Sequence, residues 1–431
     1  MKSLKKLIPQ KVINCFGHLP IAFLSNLFYR FPSSKLKIIG VTGTDGKTTT
    51  VNLIYHILKQ EFPVGMVSTV SAKIRNEEID TGFHVTAPEP HLLQKLLLKM
   101  VREKIKYAVL EVTSHGLDQF RLWGVKFQVG VITNVTRDHL DYHKTYEEYL
   151  KAKARLFNGV KVAVLNGDDR SFEYLATKQQ SNKATKIVTY GIKNKADFMP
   201  SSFEFKTPLP GEYNQYNCLA AIAVCSVLGV PDSKIKEAIA SFNGVTGRME
   251  EIKMGQEFKA IVDFAHTPNG LEQALKTLRQ QQSNKATKPC TRRYVAKQQR
   301  RKDAKLIVVF GCAGLRDKGK RPMMGKIAAK YADLAVLTAE DPRTEDVNEI
   351  IRQISEGCEE FGGAEGKTFF KIPDRQKAID FAVNLAEKDD IVVVCGKGHE
   401  KSMCFGTKEY PWSDQESVRK ALSNLKKGGP A

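Results

Sequence analysis

Short apolar runs alternate with longer amphipathic stretches from residue 36 onward. Residues 36–42 predict a buried strand, and the following stretch predicts a helix because Val51, Ile54 and Leu58 recur at helical spacing. The same alternation continues, which is typical of βαβ units whose helices cover a mostly parallel sheet. Further strands are predicted at residues 64–68, 107–112, 129–134 and 160–165.

A turn-rich segment at residues 243–248 separates this series from a second one. The second series predicts strands at residues 260–264, 306–310, 334–338 and 391–395, again with helices between them. We therefore predict the α/β class with two α/β domains and no third full domain. The predicted boundaries are an amino-terminal extension at 1–35, a central domain at 36–246 and a carboxy-terminal domain at 247–431.

The composition is that of a globular enzyme, with 42% hydrophobic and 26% charged residues. It excludes wholesale disorder, collagen-like repeats and a multi-span membrane protein. The net charge is +20, but residues 1–37 hold seven basic residues and no acidic one, and residues 281–305 hold nine basic residues and one acidic one. The excess charge therefore belongs to two local segments and not to the fold as a whole.

The amino-terminal extension allows two interpretations. Residues 12–31 are apolar but are interrupted by Asn14, Gly17 and Pro20, which disfavours a spanning helix, and no cleavage site follows. Residues 1–31 form either a basic amphipathic anchor on the inner face of the membrane or a helical cap packed on the next domain. Eight scattered cysteines without a C-x-x-C pair suit a reducing cytosol, so we expect a cytoplasmic protein, either free or peripherally bound.

A glycine-rich loop, GTDGKTTT at residues 43–50, follows the first strand and opens the first helix. In such a loop backbone N–H groups can turn onto phosphate oxygens, and the helix start adds positive potential. Lys47 would reach the terminal phosphates, and a hydroxyl, that of Thr48, would hold Mg²⁺. The spacing departs from the common phosphate loop because Val41 occupies the first glycine position; the alternative is an incidental turn. The predicted nucleotide-binding residues are Gly43, Thr44, Asp45, Gly46, Lys47, Thr48 and Thr49.

Two further polar segments follow strand ends, where α/β sheets place their ligands. One begins at Glu111, and the other contains His139 and His143. A carboxylate and an imidazole at such positions can hold a divalent ion against a triphosphate. The alternative is that the two histidines, four residues apart, merely share a helix face.

Residues 41–50 closely resemble the ATP loop of the Mur ligases, which add amino acids to the peptidoglycan precursor, although Asp45 stands where that family usually has asparagine. The resemblance continues to the end of the chain and implies a Mur ligase central domain followed by a Rossmann-like carboxy-terminal domain, with ATP and Mg²⁺. It also implies that Glu111 binds Mg²⁺, that His139 serves a second Mg²⁺ and that Lys153 becomes carbamylated. The residues that match the family's other nucleotide contacts are Asn217, with Asn214 beside it, and Arg248.

Five motifs resemble one branch of the family, the UDP-N-acetylmuramoyl-tripeptide synthetases: residues 247–250, 263–268, 310–322, 340–345 and 396–400. An arginine such as Arg343 can fork onto a carboxylate, and Glu400 can accept hydrogen bonds from an ammonium group. The alternative for Arg343 is a surface ion pair with Glu345 or Asp346. The resemblance implies these substrate residues: Thr86, Ser114, Arg121, Asp341, Arg343, Gly396 and Glu400.

The resemblance implies that the added amino acid is meso-diaminopimelate or another diamino acid, with lysine as the alternative. In the family an Asp-Asn-Pro-Arg motif accompanies diaminopimelate, and lysine-adding members lack the arginine. Here the first two positions are Glu340 and Asp341, so diaminopimelate, lysine and other diamino acids remain alternatives.

The resemblance implies a two-step reaction on small-molecule substrates. ATP would phosphorylate the carboxylate of the muramoyl-dipeptide acceptor, and the amine would attack the acyl phosphate while Lys47, Mg²⁺ and Arg316 neutralise charge and the two domains close. Only about 40 residues precede the loop, too few for the family's UDP-binding domain. The alternatives for the acceptor are therefore a UDP-linked molecule that is held more weakly, a molecule that lacks UDP and a lipid-linked molecule. We expect a monomer.

Parts of the sequence are compatible with two other functions. The basic run at residues 291–305 suggests a nucleic-acid-stimulated P-loop ATPase, but no aromatic interleaving accompanies it, so we expect no nucleic-acid partner. A folate- or cyanophycin-type ligase would share the central domain, but the motifs at 340–345 and 396–400 argue against it.

Overall fold

The computed structural model describes residues 9–80, 88–181, 184–286 and 304–427. The chain divides into two compact units, one up to Asn243 (unit 1) and one from Gly244 (unit 2). The amino-terminal extension is part of unit 1. No helix among the described residues is long and apolar enough to cross a membrane.

Unit 1 begins with α1 (Gln10–Ile13), a π-helical turn (Asn14–His18), α2 (Leu19–Phe28) and a 3₁₀ turn (Pro32–Lys35). An alternating series follows, with a 3₁₀ turn (Arg155–Phe157) after α7. Its elements are β1 (Lys37–Thr42), α3 (Lys47–Leu58), β2 (Val64–Val67), β3 (Ser71–Ile74), β4 (Glu77–Asp80), α4 (Pro90–Arg102), β5 (Tyr107–Glu111), α5 (Ser114–Asp118), β6 (Phe127–Ile132), α6 (Leu140–His143), α7 (Tyr146–Ala154), β7 (Val162–Asn166), α8 (Phe172–Gln180), β8 (Lys186–Tyr190), α9 (Glu212–Val227) and α10 (Asp232–Ala240).

The described strands of unit 1 form one sheet in the order β4-β3-β2-β5-β1-β6-β7-β8. The six strands from β2 to β8 in this order are parallel, and β3 and β4 extend the β2 edge as antiparallel strands. β1 lies in the middle, and its residues from Ile38 to Thr42 are all buried because helices cover both faces. The phosphate loop therefore leaves the sheet at its centre, between the carboxyl ends of β5 and β6.

Unit 2 contains a second, smaller sheet in the order β13-β12-β11-β14-β10-β9, parallel except for β9, and a separate β15-β16 hairpin. Neighbouring residues of β11 point to opposite faces, since Ile307 packs in one core cluster and Val308 in the other. Its elements are β9 (Glu250–Ile252), β10 (Lys259–Asp263), α11 (Pro268–Ala286), β11 (Leu306–Phe310), α12 (Lys320–Tyr331), β12 (Leu334–Leu337), α13 (Val347–Glu360), β13 (Phe369–Lys371), α14 (Arg375–Leu385), β14 (Ile391–Cys395), β15 (Ser402–Phe405), β16 (Lys408–Pro411) and α15 (Asp414–Lys427).

All nine predicted strands are present within two residues of their predicted bounds, and the predicted α/β class is confirmed. The strands that the sequence did not predict are β3, β4, β8, β9, β13, β15 and β16. Most of them are short edge or hairpin strands with solvent-facing polar residues, so they lack the apolar run that identifies a central strand. The structure divides the units at Asn243, three residues before the predicted boundary.

Candidate active site

The phosphate loop has the tight backbone that its glycines require. Gly46 lies in the left-handed region with φ of 83°, directly before α3. A Cβ atom on Gly46 would collide with the Asn217 carboxamide, and one on Gly43 would collide with Thr133. Both positions therefore accept only glycine.

The loop is fixed by the end of β6. Thr133 Oγ1 donates to the Asp45 carbonyl at 2.6 Å, and Asn134 Oδ1 accepts from the Asp45 N–H at 3.0 Å. Lys47 begins α3, and its Nζ donates to the Thr44 carbonyl at 2.8 Å, so the amine lies over the loop. The loop residues lie at the start of a helix, where backbone N–H groups and the helix dipole favour an anion.

Thr48 and Glu111 come together beside this loop. Thr48 Oγ1 lies 3.0 Å and 3.2 Å from the two carboxylate oxygens of Glu111, which is buried. Thr69 follows β2, and its backbone N–H donates to the same carboxylate at 3.1 Å. The hydroxyl of Thr48 and the carboxylate of Glu111 are therefore held at one point next to the phosphate loop.

This donor set fits Mg²⁺. The ion prefers hard oxygen ligands and usually binds through one or two protein groups, with phosphate and water completing its octahedron. No group of three or more His, Cys, Asp or Glu side chains that could hold a metal exists among the described residues. Thr48 and Glu111 thus suit an ion shared with a bound triphosphate better than a metal held by protein alone.

Lys153, on α7, is fully buried next to the loop. Its Nζ donates to the Gly43 carbonyl at 2.6 Å and lies 4.3 Å from the centroid of the Tyr149 ring. Burial, and secondarily the charge of Lys47, hold the pKa of Lys153 well below its usual range. Loss of the proton from this amine is therefore easier than from an exposed lysine, and the neutral form is the one that reacts as a nucleophile.

His139 lies directly before α6, in the left-handed region with φ of 55°. Its Nε2 is 3.2 Å from Asp138 Oδ2, and its ring packs edge-on against His115 with centroids 4.6 Å apart. His143, at the other end of α6, is buried, and its Nε2 lies 3.0 Å from Ser114 Oγ. Burial lowers the pKa of His143 to about 4, so this ring is neutral at physiological pH.

Two of the predicted substrate residues, Ser114 and Arg121, lie on the segment at residues 114–124 of unit 1, which contains α5. Ser114 is buried beside His143, and Arg121 forms an ion pair with Glu89 at 3.0 Å and donates to Gln119 Oε1. Thr86 lies outside the described residues. Asn217, on α9, accepts from Thr50 Oγ1 at 3.3 Å and donates to Asn214 Oδ1 at 3.0 Å, which sets its carboxamide against Gly46.

In unit 2 the loop after β12 has an unusual backbone. Asp341 and Arg343 both have positive φ, 44° and 54°, on either side of Pro342. The turn is held because Gly314 donates its N–H to the Asp341 carbonyl and accepts from Arg343 Nη1 at 2.6 Å. Glu345, which the alternative interpretation paired with Arg343, is instead bound by Arg321 at 3.0 Å.

Lys397 connects two of the predicted substrate residues. It is fully buried, and its Nζ donates to Asp341 Oδ1 at 2.8 Å and to Glu400 Oε2. The Cys404 N–H also donates to Asp341 Oδ1 at 2.9 Å. The charge that Asp341 adds to this pocket is therefore offset by a buried lysine.

Glu340 and Gly396 face each other beside this network. Glu340 is buried, its pKa is raised to about 8 by burial, and a Cβ on Gly396 would collide with its carboxylate. Arg248 stacks on Phe264, with its guanidinium carbon 4.3 Å from the ring centroid. Arg316 is half-buried on the loop after β11.

The structure thus divides the predicted site residues between the units. The phosphate loop, Glu111, His139, Lys153 and Asn217 come together in unit 1. The Asp341–Arg343 turn, Gly396 and Glu400 come together in unit 2, which also carries Arg248 and Arg316. Three residues of these clusters were not predicted as site residues: Thr69, Asn134 and Lys397. The contact of His143 with Ser114 was not predicted either. Among these features only Lys397 has a sequence signal, its position in the motif at 396–400.

Two family models match the chain. The one described as Mur ligase middle domain matches residues 41–225, and the one described as Mur ligase, glutamate ligase domain, matches residues 284–398. The chain is 36% identical over 445 residues to UDP-N-acetylmuramoyl-L-alanyl-D-glutamate--2,6-diaminopimelate ligase 1 of Clostridium acetobutylicum, covering 97% of this chain and 86% of the relative. It is 38% identical over 430 residues to the UDP-N-acetylmuramoyl-L-alanyl-D-glutamate--2,6-diaminopimelate ligase of Geobacillus thermodenitrificans, covering 93% and 82%.

The chain is also similar to solved structures. A UDP-N-acetylmuramoyl-L-alanyl-D-glutamate--2,6-diaminopimelate ligase is 34% identical and superposes with a TM-score of 0.57, covering 91% of this chain and 79% of that one. A folylpolyglutamate synthase of Mycobacterium tuberculosis superposes with a TM-score of 0.66 at 16% identity, covering 88% and 92%. An identity that low shows a shared fold alone.

Proposed function

The chain belongs to the Mur ligase family of ATP-dependent, ADP-forming amide ligases, and from this premise we propose that it adds meso-diaminopimelate to the muramoyl-L-Ala-D-Glu precursor of peptidoglycan. The observation that carries the choice of amino acid is the pocket of unit 2, where Arg343 lies beside an Asp341 whose charge Lys397 offsets. Relatives with 34–38% identity that are named for diaminopimelate support the same choice.

Unit 1 contains the groups for the first step. The acceptor carboxylate attacks the terminal phosphorus of ATP, ADP leaves and an acyl phosphate forms. Lys47 and the start of α3 stabilise the charge on the phosphate oxygens. Mg²⁺, when bound, neutralises triphosphate charge, and Thr48 and Glu111 would hold it.

Unit 2 contains the groups for the second step, in which the amino acid reacts. The amine attacks the acyl carbonyl, loses a proton, and the tetrahedral intermediate releases phosphate. Arg343 binds the distal carboxylate of the amino acid through paired hydrogen bonds, and Glu400 accepts from its ammonium group. Arg316 offsets charge on the departing phosphate.

We also propose that Lys153 is carbamylated, and that His139 serves a second Mg²⁺. The neutral amine of Lys153 would form an N–C bond with CO₂ and release one proton, which converts the side chain into an anion beside the loop. Protein exposed to ¹³C-bicarbonate should show a carbamate resonance that the Lys153→Met variant lacks. Absence of this resonance from active wild-type protein would contradict the modification.

The choice of amino acid is tested with Arg343. Because charge-assisted hydrogen bonds contribute about 1.5–3 kcal/mol, the Arg343→Met variant should raise KM for diaminopimelate by roughly tenfold or more. Turnover of lysine, which has no distal carboxylate, should change little. A wild-type enzyme that prefers lysine over diaminopimelate would contradict the proposal.

The proposal also covers the cellular location of the protein, its oligomeric state and its acceptor. We propose a cytoplasmic protein that acts as a monomer. The cysteines that the structure describes are free thiols, which suits a reducing compartment. The acceptor is UDP-linked or lipid-linked, and residues 1–31 make peripheral contact with the membrane. The alternative of a nucleic-acid-stimulated ATPase rests on the basic run at residues 291–305, most of which lies outside the described residues.

A further inference from the structure

The amino-terminal helical segment exposes its apolar side. Phe16 is 82% exposed, Phe28 75% and Leu24 60%. These positions recur at intervals of four and eight residues, so they lie on one side of the helical segment. We define the outward face as the exposed apolar residues Phe16, Ile21, Phe23, Leu24, Leu27 and Phe28.

The opposite side of this segment is polar and buried. Asn14 Nδ2 donates to Asp118 Oδ2 at 2.8 Å and to the Asp118 carbonyl at 3.1 Å. Asn26 Nδ2 donates to the Trp123 carbonyl at 2.7 Å. Turning the outward face inward would break these hydrogen bonds and leave buried polar groups unsatisfied. The orientation of the segment, with its apolar side outward, is therefore fixed by specific hydrogen bonds to the rest of unit 1.

The outward face is continuous and not a scatter of single side chains. Together with His91 of α4, four of its members, Ile21, Leu24, Leu27 and Phe28, line an open groove of about 540 Å³. Contiguous apolar surface of this kind on a folded protein indicates contact with another apolar phase.

Charge selects the partner. Lys11, Arg30, Lys35 and Lys37 are exposed near the ends of this segment, and residues 1–37 contain no acidic residue. An anionic membrane surface complements an apolar helix face flanked by basic side chains. In a two-fold dimer through this face the same basic residues would approach their own copies, which disfavours self-association.

We propose that the outward face docks onto the anionic surface of a lipid bilayer. The docked segment is joined to residues 114–124, which carry Ser114 and Arg121, through Asn14, Asn26 and the Ser33 hydroxyl that donates to the Gly124 carbonyl at 3.0 Å. Docking therefore holds this part of unit 1 close to the membrane. The proposal does not depend on which amino acid the enzyme adds.

The test is co-sedimentation of the full chain with vesicles of phosphatidylglycerol and phosphatidylcholine in a one-to-two ratio, and with vesicles of phosphatidylcholine alone. The chain should bind the anionic vesicles, and high salt should weaken the binding because it screens the basic residues. The triple variant Phe16→Ser, Leu24→Ser and Phe28→Ser should bind about tenfold less or weaker still, since it removes three large apolar contacts.

The matched control is the double variant Tyr174→Ser and Phe361→Ser, which removes exposed aromatic side chains elsewhere and should bind vesicles like the wild type. Circular dichroism and turnover of a soluble acceptor should be unchanged in the triple variant, which separates lost docking from lost folding. Equal binding by the triple variant, no binding by the wild type, or a wild-type dimer that the triple variant dissolves without any vesicle binding would overturn the proposal.

Discussion

Gly46 occupies a position where both backbone and space exclude every other residue. It combines φ of 83° with direct contact to the Asn217 carboxamide at the start of α3. Any side chain there must strain the backbone and displace Asn217 from the proposed nucleotide site. The effect of a side chain on stability can be distinguished from its effect on ATP binding, because Gly229 has the same kind of positive φ angle but no neighbouring side chain.

We expect the Gly46→Ala variant to lose ATP affinity by roughly a hundredfold, as the loop can no longer hold its N–H groups toward phosphate. The measurement is calorimetric titration with ATP. The control is Gly229→Ala, which has φ of 84° and open space around its Cβ, and should lose stability but bind ATP normally. Normal ATP binding by Gly46→Ala would contradict the assignment of the loop.

His143 makes a second residue-level prediction, on stability and pH. Its pKa is about 4 in the folded protein, below the ordinary 6.5, so the unfolded chain binds more protons in this window. The free energy of unfolding therefore decreases as the pH falls from 6.5 toward 4, because protonation of His143 favours the unfolded chain in this range.

The loss of unfolding free energy between pH 7 and about pH 5 should be smaller in His143→Gln than in the wild type by roughly 1–2 kcal/mol, after discounting for solvent screening. Urea denaturation at the two pH values measures this difference. His91→Gln, at an exposed position, is the control and should behave like the wild type. An unchanged pH dependence in His143→Gln would show that the ring does not titrate as described.

The residues that could be predicted from the sequence are those whose role depends on their immediate neighbours in the chain. The loop from Gly43 to Thr49 could be identified because a strand before it and a helix after it are local features. Lys397 lies in the motif at 396–400, but its ion pair could not be predicted, because its partner Asp341 lies 56 residues away and only the folded chain brings them together. Thr69 was missed for the same reason, since it meets Glu111 through the pairing of β2 with β5.

At the scale of elements, the amino-terminal helices support the segment that carries Ser114 and Arg121, the proposed acceptor residues. The segment packs on unit 1, as the cap interpretation expects, and also presents an apolar face. The interpretation as a membrane anchor stays a prediction. Periodicity alone could not show which side of the segment faces the rest of unit 1. It shows that one side is apolar, but not that the polar side is the buried one.

The variant Asn26→Ala tests this support. It removes the hydrogen bond to the Trp123 carbonyl, which should cost about 1–3 kcal/mol of stability and raise KM for the acceptor by roughly threefold or more as Arg121 loses its position. KM for ATP should stay unchanged. The control is Ser34→Ala, whose exposed hydroxyl bonds only within its own turn. Equal changes in both KM values would contradict a specific effect on the acceptor segment.

At the scale of the whole molecule, the alternation of strands and helices predicted two α/β units because a buried parallel strand needs an apolar run that the sequence shows directly. The net charge of +20 gave less information, since it is concentrated in two segments and not at the proposed active site. The proposed chemistry is divided in the same way as the fold, with the proposed nucleotide and metal residues in unit 1 and most of the proposed amino-acid residues in unit 2.

The most direct test of the proposed function measures ADP release and product mass together. Purified full-length chain is given ATP, Mg²⁺, meso-diaminopimelate and the muramoyl-L-Ala-D-Glu acceptor, offered in UDP-linked and lipid-linked forms. We predict that one amide product forms for each ADP released, and that omitting either the acceptor or the amino acid stops product formation. ADP release without amide product, or release that requires nucleic acid and no amino acid, would contradict the account.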